Sequence, residues 1–232
     1  MVNSRNMFPS VGTRTGLEWR DIWDHGHPEV AGLTAWIDGY LTRPHPDLGR
    51  DGPVCPFVRQ SIKRHTLWAA VVPGGDELTV PRMTDAVDDA IEIYRAMRAA
   101  DPDPRLCSLT LFPGLTRLHL VDSVHAARKS GVVEQGLMLG QFYPGCAVPG
   151  LWNKDFHPLD APVPMLVIRK MMNTDFPFLV GRSEWLYAYL SSIAPELPRN
   201  LRRTIAERMR VDGPAADAIT DLRVHAPGEH AR

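Results

Sequence analysis

The chain has 232 residues, of which 44% are hydrophobic and 23% charged. This length suits one large domain and falls short of what two ordinary domains need. The formal net charge of -1 provides no field that would attract nucleic acid or an anionic membrane, so the composition argues against both partners. The three cysteines are far apart in sequence, which is typical of a reducing compartment and not of a disulfide framework.

Hydrophobic patterns predict the elements in chain order. The polar segment 1–16 is unpatterned and is expected to be a flexible arm. Apolar residues at three-to-four spacing after Pro28 predict a helix that runs through Leu41. Further on, the patterns predict helices at 55–63, 81–98, 116–133, from 183, and at 198–210, with strands at 66–72, 106–112, 137–142 and 165–168. Residues 211–232 are expected to form a loosely ordered tail.

These elements predict a single α+β domain over residues 17–210. Its sheet would be mixed or antiparallel, with four or more strands, and covered by helices. No apolar run is long enough to cross a membrane, and the N-terminal segment lacks the core of a signal peptide, so we expect a cytoplasmic protein. A homodimer is an open alternative to a monomer.

Sequence motifs for several enzyme classes are missing. The chain contains no GxxxxGK[ST] or GxGxxG loop for nucleotides, no GxSxG turn of a serine hydrolase, and no HExxH or CxxC zinc motif. These absences argue against nucleotide cofactors and against the usual hydrolase and zinc chemistries.

Cys55 lies directly before Pro56 at the expected start of a helix. Unpaired N–H groups and the helix dipole would favour its thiolate there, so Cys55 is a candidate nucleophile or metal ligand. A small buried residue at a helix end is an equally good interpretation.

Two histidines of the third predicted long helix are further candidate ligands. His125 falls on the apolar face with Val121, so its ring would point into the core or toward a cofactor. His119 stands three residues before Asp122, which could orient its imidazole, although a surface ion pair is an alternative.

The segment 136–164 is rich in glycine and proline, which predicts a long, stiff loop of the kind that carries function. Its aromatic and amide side chains could line a pocket at small ordering cost. Tyr143, Asn153 and His157 are the catalytic candidates of this loop, and Trp152 and Phe156 are candidates for contact with a cofactor.

Arg169, at the end of the next strand, could receive a carboxylate or a haem propionate through charge-assisted hydrogen bonds. Neutralisation by Asp175 is the alternative interpretation of this arginine.

The order of these motifs resembles an uncharacterised actinobacterial domain family with a CysProPhe start, a GlyGlxPhe-x-Pro turn and a ProGlyLeu-x-Asn loop. It is also remotely similar to the YqcI/YcgG-type proteins, some of which are haem-dependent enzymes that oxygenate amino-acid nitrogen. The matching residues are Cys55-Pro56-Phe57, Gly140-Gln141-Phe142, Pro149-Gly150-Leu151, Asn153, Pro162 to Pro164, and Arg169. Tyr143 and Lys170 stand where that resemblance predicts histidine.

The resemblance implies a haem-dependent oxygenase that acts on an amine or a small amino acid in specialised metabolism. Haem would be its cofactor, with Cys55, His125 or His119 as iron ligand. The alternative is a small-molecule-binding or accessory protein of a biosynthetic cluster that has the same pocket and no redox centre. The two missing histidines favour this second hypothesis.

Overall fold

The fold is built on a five-stranded mixed sheet with strand order β1-β2-β3-β5-β4. The computed structural model describes residues 10–100 and 106–210. β2 and β3 are parallel, whereas β1 pairs with β2, and β5 with both β3 and β4, in antiparallel fashion. The strands are β1 Arg20–Asp21, β2 Leu67–Val71, β3 Cys107–Leu111, β4 Leu137–Phe142 and β5 Met165–Lys170.

Helices cover both faces of the sheet. The helices are α1 Pro28–Trp36, α2 Val58–Arg64, α3 Val80–Ala100, α4 His119–Val133, α5 Ser183–Ile193 and α6 Arg199–Met209. α3 and α4 pack on one face around Tyr94 and Phe112, and α1 and α2 pack on the other around Leu33 and Leu111. α5 and α6 add a third apolar cluster beside β4, around Met138 and Leu186. The predicted single α+β domain is therefore confirmed.

One predicted helix changes its geometry near its end. The helix expected from Pro28 through Leu41 is an α-helix only to Trp36, and residues Ile37–Leu41 form a π-helical turn. A π turn rotates the side chains that follow it relative to a continuous α-helix, and such turns are frequent at functional sites. Trp36, Ile37 and Leu41, at this junction, face the cavity described below.

The N-terminal arm differs from its prediction over residues 10–16. Asp89 of α3, which is completely buried, accepts hydrogen bonds from the backbone and side chains of Arg14 and Thr15. Because a buried carboxylate needs such partners, this segment is held against α3 and is not a flexible arm. Residues 1–9 and the predicted tail 211–232 lie outside the described residues.

Candidate active site

A cavity of about 430 Å³ lies between the sheet and the α1–α2 layer. This volume falls within the range of small-molecule pockets. Its walls come from the π-helical turn, α2, α4, α5 and the loop between β4 and β5, and most of the lining side chains are apolar. Phe178, which is 46% exposed, is one of the lining residues, so the cavity wall includes a side chain of the protein surface.

Strand register explains which side chains form the floor of the cavity. Leu67, Cys107, Arg169 and Met138 lie opposite one another on β2, β3, β5 and β4, so they form one row across the sheet. Side chains alternate between faces along a strand, so the row two residues further on also faces the cavity. In that row β4 contributes Gly140, where an added Cβ would meet only the ring of Phe142, at 3.3 and 4.0 Å. The glycine therefore lets the ring of Phe142, which also lines the cavity, pack close against the floor.

Two basic side chains of α4 define the polar end of the cavity. Lys129 Nζ donates a hydrogen bond of 2.7 Å to the carbonyl oxygen of Leu139, and His125 Nε2 lies 3.0 Å from the same oxygen. Their spacing of four residues places both on one face of the helix, toward the edge strand β4. Burial lowers the pKa of Lys129 to about 8 and that of His125 to about 4. At neutral pH His125 is therefore uncharged, and Lys129 carries most of the positive charge at this end.

Arg169 contributes little free charge to the cavity because Asp175 binds it. The two carboxylate oxygens accept hydrogen bonds of 2.7 and 2.6 Å from the two terminal guanidinium nitrogens, and Asp175 is only 2% exposed. Asp175 therefore neutralises Arg169, which was the alternative interpretation of this arginine in the sequence. Opposite Arg169, burial raises the pKa of Cys107 to about 12, although the Arg169 charge acts in the other direction. Cys107 is consequently a neutral thiol at physiological pH.

Cys55 lines the cavity, but it does not occupy the helix start that the sequence predicts. α2 begins at Val58, and the N–H of Cys55 donates a 2.9 Å hydrogen bond to the carbonyl of Leu41. The helix dipole acts mainly within the first turn, so the expected stabilisation of a thiolate by α2 is lost at this position.

The loop residues Trp152, Asn153 and Phe156 form part of the framework around the cavity and do not line it. Asn153 Nδ2 donates a 2.8 Å hydrogen bond to the carbonyl of Asp47, and the ring of Phe156 lies 4.7 Å from that of His45. Gly49 has a φ of 76°, and a Cβ there would lie 2.8 Å from the carbonyl oxygen of Trp152. These contacts hold the loop against residues 45–49, which follow α1. Val148 and Leu159 of the same loop then form part of one cavity wall.

Three other predicted site residues lie away from the cavity lining. The hydroxyl of Tyr143 donates a 2.8 Å hydrogen bond to Asp122. Asp122 is the carboxylate that was expected from the sequence to orient His119. Burial, together with this bond, raises the pKa of Tyr143 above its usual value, so the phenol stays neutral. His119 and His157 are exposed. Of the predicted site residues, the structure thus brings together Cys55, His125 and Arg169 in one cavity.

Lys129, Cys107 and Gly140 were not identified from the sequence as site residues. The spacing of Lys129 and His125 was the available signal for the lysine, because residues four apart share a helix face. Cys107 and Gly140 depend on which strands become neighbours, and the pattern of one strand carries no information on its partners.

A second cavity, of about 460 Å³, lies between α3 and α5 and is lined by Arg95, Glu134 and Lys170 among others. None of the predicted site residues lines it, so the cavity above the sheet is the better candidate. Within residues 10–100 and 106–210, no three His, Cys, Asp or Glu side chains are grouped so that they could hold a metal ion. In the same ranges, no helix combines the length and the apolar character that a membrane span requires.

Residues 30–204 match the model of the family described as Domain of unknown function (DUF6875). This match covers most of the chain, so the chain belongs to that family. Comparisons with curated proteins and with solved structures gave no match. The matched range includes every residue named above as lining the cavity over the sheet.

Proposed function

We propose that this DUF6875 member binds a small, mainly apolar molecule whose one polar end carries an oxygen acceptor, a carbonyl or a carboxylate. The observation that carries this proposal is the cavity of about 430 Å³, whose largely apolar wall ends at the ammonium group of Lys129. Apolar pockets with a few convergent polar groups are typical small-molecule sites, in which the polar groups fix the orientation of the ligand. Burial of the apolar part supplies affinity at about 25 cal/mol per Å².

The charge at the polar end favours an acceptor over a cationic ligand. Arg169 is neutralised by Asp175, and no Asp or Glu is among the described residues that line the cavity. Lys129 therefore lacks a carboxylate partner in the cavity wall, and an oxygen acceptor of the ligand would supply one. A cytoplasmic location is part of this proposal, because none of the three cysteines, all of them in the described part of the chain, forms a disulfide.

Fluorescence titration tests this function. An uncharged naphthylamine dye should bind at one saturable site and should be displaced by octanoate or octanal more readily than by octane. Gly140→Val should weaken dye binding at least about tenfold, since its side chain would crowd the ring of Phe142, which lies 3.3 Å from an added Cβ, and would displace this lining side chain. Gly131→Ala is the control, because a Cβ added there meets nothing within 4 Å apart from its chain neighbours and the backbone of its own helix. Equal dye binding by Gly140→Val and Gly131→Ala would show that the dye lies elsewhere and would refute the proposal.

A second candidate function is that of a haem-dependent oxygenase acting on an amine or a small amino acid in specialised metabolism. The specific observation in its favour is that Cys55 and His125, two of the expected ligands, line the same apolar cavity. The residues fit haem in part. Cys55 lines the cavity and could offer its sulfur to iron, and Lys129 could receive a propionate. Arg169 does not fit the role of propionate partner, because both terminal nitrogens bind Asp175.

Bound haem would supply the activation of oxygen, and the protein would supply binding, orientation and exclusion of water. Titration of the purified protein with haemin tests this candidate by absorption spectroscopy. A Soret band that saturates at one equivalent and is lost in Cys55→Ser would support it. The control is Cys146→Ser, which replaces a buried cysteine outside the cavity lining. Failure to develop a shifted Soret band, together with no bound haem by mass spectrometry, would refute it.

A further inference from the structure

We propose that Lys129 is a nucleophile that binds carbonyl compounds covalently and reversibly, by forming an imine with an aldehyde or ketone at the end of a small apolar molecule. This inference rests on the proposed binding function. Of the two acceptor classes proposed there, carbonyl and carboxylate, it selects the carbonyl compounds. It is carried by the position of the Lys129 amine, at the polar end of an apolar cavity large enough for a ligand of this kind.

The contacts of Lys129 hold its amine in place and leave it reactive. One N–H of Lys129 Nζ donates to the carbonyl of Leu139, which is 2.7 Å away and is shared with His125. This bond holds the nitrogen at the polar end, and the remaining positions of the nitrogen are available to a ligand. An apolar molecule that fills the rest of the cavity would therefore bring its terminal carbonyl carbon to the amine, and proximity of this kind favours addition.

The surroundings of Lys129 favour the neutral amine, which is the form that attacks a carbonyl. The titratable groups around it are His125 on its own helix, Cys107 and Arg169 on the sheet with Asp175 behind Arg169, and Cys55 on the opposite wall. His125 and Cys107 are uncharged at neutral pH, and Asp175 is bound to Arg169. Burial, with the Arg169 charge acting in the same direction, lowers the pKa of Lys129 to about 8. About a tenth of Lys129 is then neutral near pH 7, compared with less than about 0.1% of an ordinary lysine.

The reaction requires no oxidant or reductant. The nitrogen lone pair of Lys129 forms a bond to the carbonyl carbon, and the proton that the nitrogen releases passes to the carbonyl oxygen to give a carbinolamine. The hydroxyl group then takes up a second proton from solvent water and leaves as water, which breaks the C–O bond and leaves a protonated imine. Hydrolysis runs through the same steps in reverse, so binding is reversible.

Reductive trapping on the full chain tests the inference. The protein is incubated with octanal and sodium cyanoborohydride, which reduces an imine to a stable secondary amine, and the modified lysines are mapped by peptide mass spectrometry. We expect one early adduct, at Lys129, that forms at least about tenfold faster than the adduct at exposed Lys63. Its rate should rise with pH and level off above about pH 8, the pKa of Lys129.

Three variants separate nucleophilic attack from binding and from folding. Lys129→Met and Lys129→Arg should both lose the early adduct, and Lys129→Arg keeps a cation that can still donate to Leu139. Lys63→Met should leave the adduct unchanged. Thermal melting checks that each variant is folded. Equal rates at Lys129 and Lys63, or a Lys129→Met protein that still forms the early adduct, would overturn the inference.

Displacement of the naphthylamine dye by octanal is measured in parallel. If octanal displaces the dye and Lys129 is not modified, the binding function stands and the imine inference fails. If the dye does not bind in the cavity and Lys129 is not modified, both proposals fail.

Discussion

Asp175 binds both terminal nitrogens of the Arg169 guanidinium, at 2.7 and 2.6 Å, and also accepts a hydrogen bond from the N–H of Met172. The pair joins the end of β5 to the 3-10 turn that follows it, Asn173–Phe178. Arg169 also faces the cavity. The pair therefore links the stability of this region to the charge at the polar end of the cavity.

Asp175→Ala is expected to destabilise the protein by roughly 3 kcal/mol, since it leaves a largely buried guanidinium without its counter-charge. Urea unfolding followed by circular dichroism measures this change. Glu184→Gln, which removes an exposed carboxylate at the start of α5, is the control and should change the free energy of unfolding by less than about 0.5 kcal/mol. Equal stabilities of Asp175→Ala and the control would mean that the pair contributes nothing to folding.

Asp89 should make stability dependent on pH. Burial alone would raise the pKa of this carboxyl, but hydrogen bonds from Thr15 and Arg14 outweigh burial and lower the pKa below the usual value of an aspartate. Because the folded state holds the carboxylate in its charged form, the contribution to stability is present above about pH 4 and is lost as the pH falls through the folded pKa. The difference in unfolding free energy between the native chain and Asp89→Asn should therefore be about 2 kcal/mol near pH 7 and should shrink toward pH 3.

Asp85→Asn is the control for Asp89, because it changes an exposed carboxylate on the same helix. Gly12→Ala gives an independent check, since its Cβ would lie 2.3 Å from the Asp89 carboxylate oxygen and would push the N-terminal segment away from α3. A pH-independent effect of Asp89→Asn would contradict the assignment of a lowered pKa.

Local patterns in the sequence were sufficient to predict most of the helices and strands. β4 runs over the predicted residues 137–142, and the predicted strand 66–72 is observed as Leu67–Val71. The binding of residues 10–16 to α3 was not predicted, because it depends on a buried carboxylate 75 residues away from Arg14 along the chain. Tertiary hydrogen bonds of this kind leave no periodic pattern in the segment that makes them.

The candidate site was predictable only in part, because some of its residues come together through contacts between distant segments of the chain. Cys55, His125 and Arg169 stood out by residue type and local position, and all three reach the cavity. The row that joins Cys107 to Arg169 exists only because β3 and β5 pair in one register. In a mixed sheet that register is decided by packing between distant segments, which a single sequence does not reveal.

Tyr143→Phe should reduce stability and leave ligand binding unchanged. The variant removes the 2.8 Å hydrogen bond to Asp122, and a bond to a charged acceptor contributes about 1.5 to 3 kcal/mol. Tyr143 is not among the residues that line the cavity, so the affinity for the naphthylamine dye should change by less than about twofold. A double-mutant cycle with Asp122→Asn isolates the pair. Loss of dye binding in a folded Tyr143→Phe protein would instead place the site on the loop.

Alkylation of Cys107 should report the charge at the polar end of the cavity. Burial raises the pKa of this thiol to about 12, so its thiolate fraction and its rate of reaction with iodoacetamide should rise about tenfold per pH unit between about pH 7 and 9, without a plateau. Asp175→Asn removes the negative charge that neutralises Arg169, the residue directly opposite Cys107 in the sheet. The unshielded guanidinium should then favour the thiolate and raise the rate at Cys107 several-fold.

Peptide mass spectrometry assigns the rate to this cysteine, with Glu184→Gln as the control variant. A rate at Cys107 that is the same in Asp175→Asn and in the control would contradict the electrostatic link between Arg169 and the cavity.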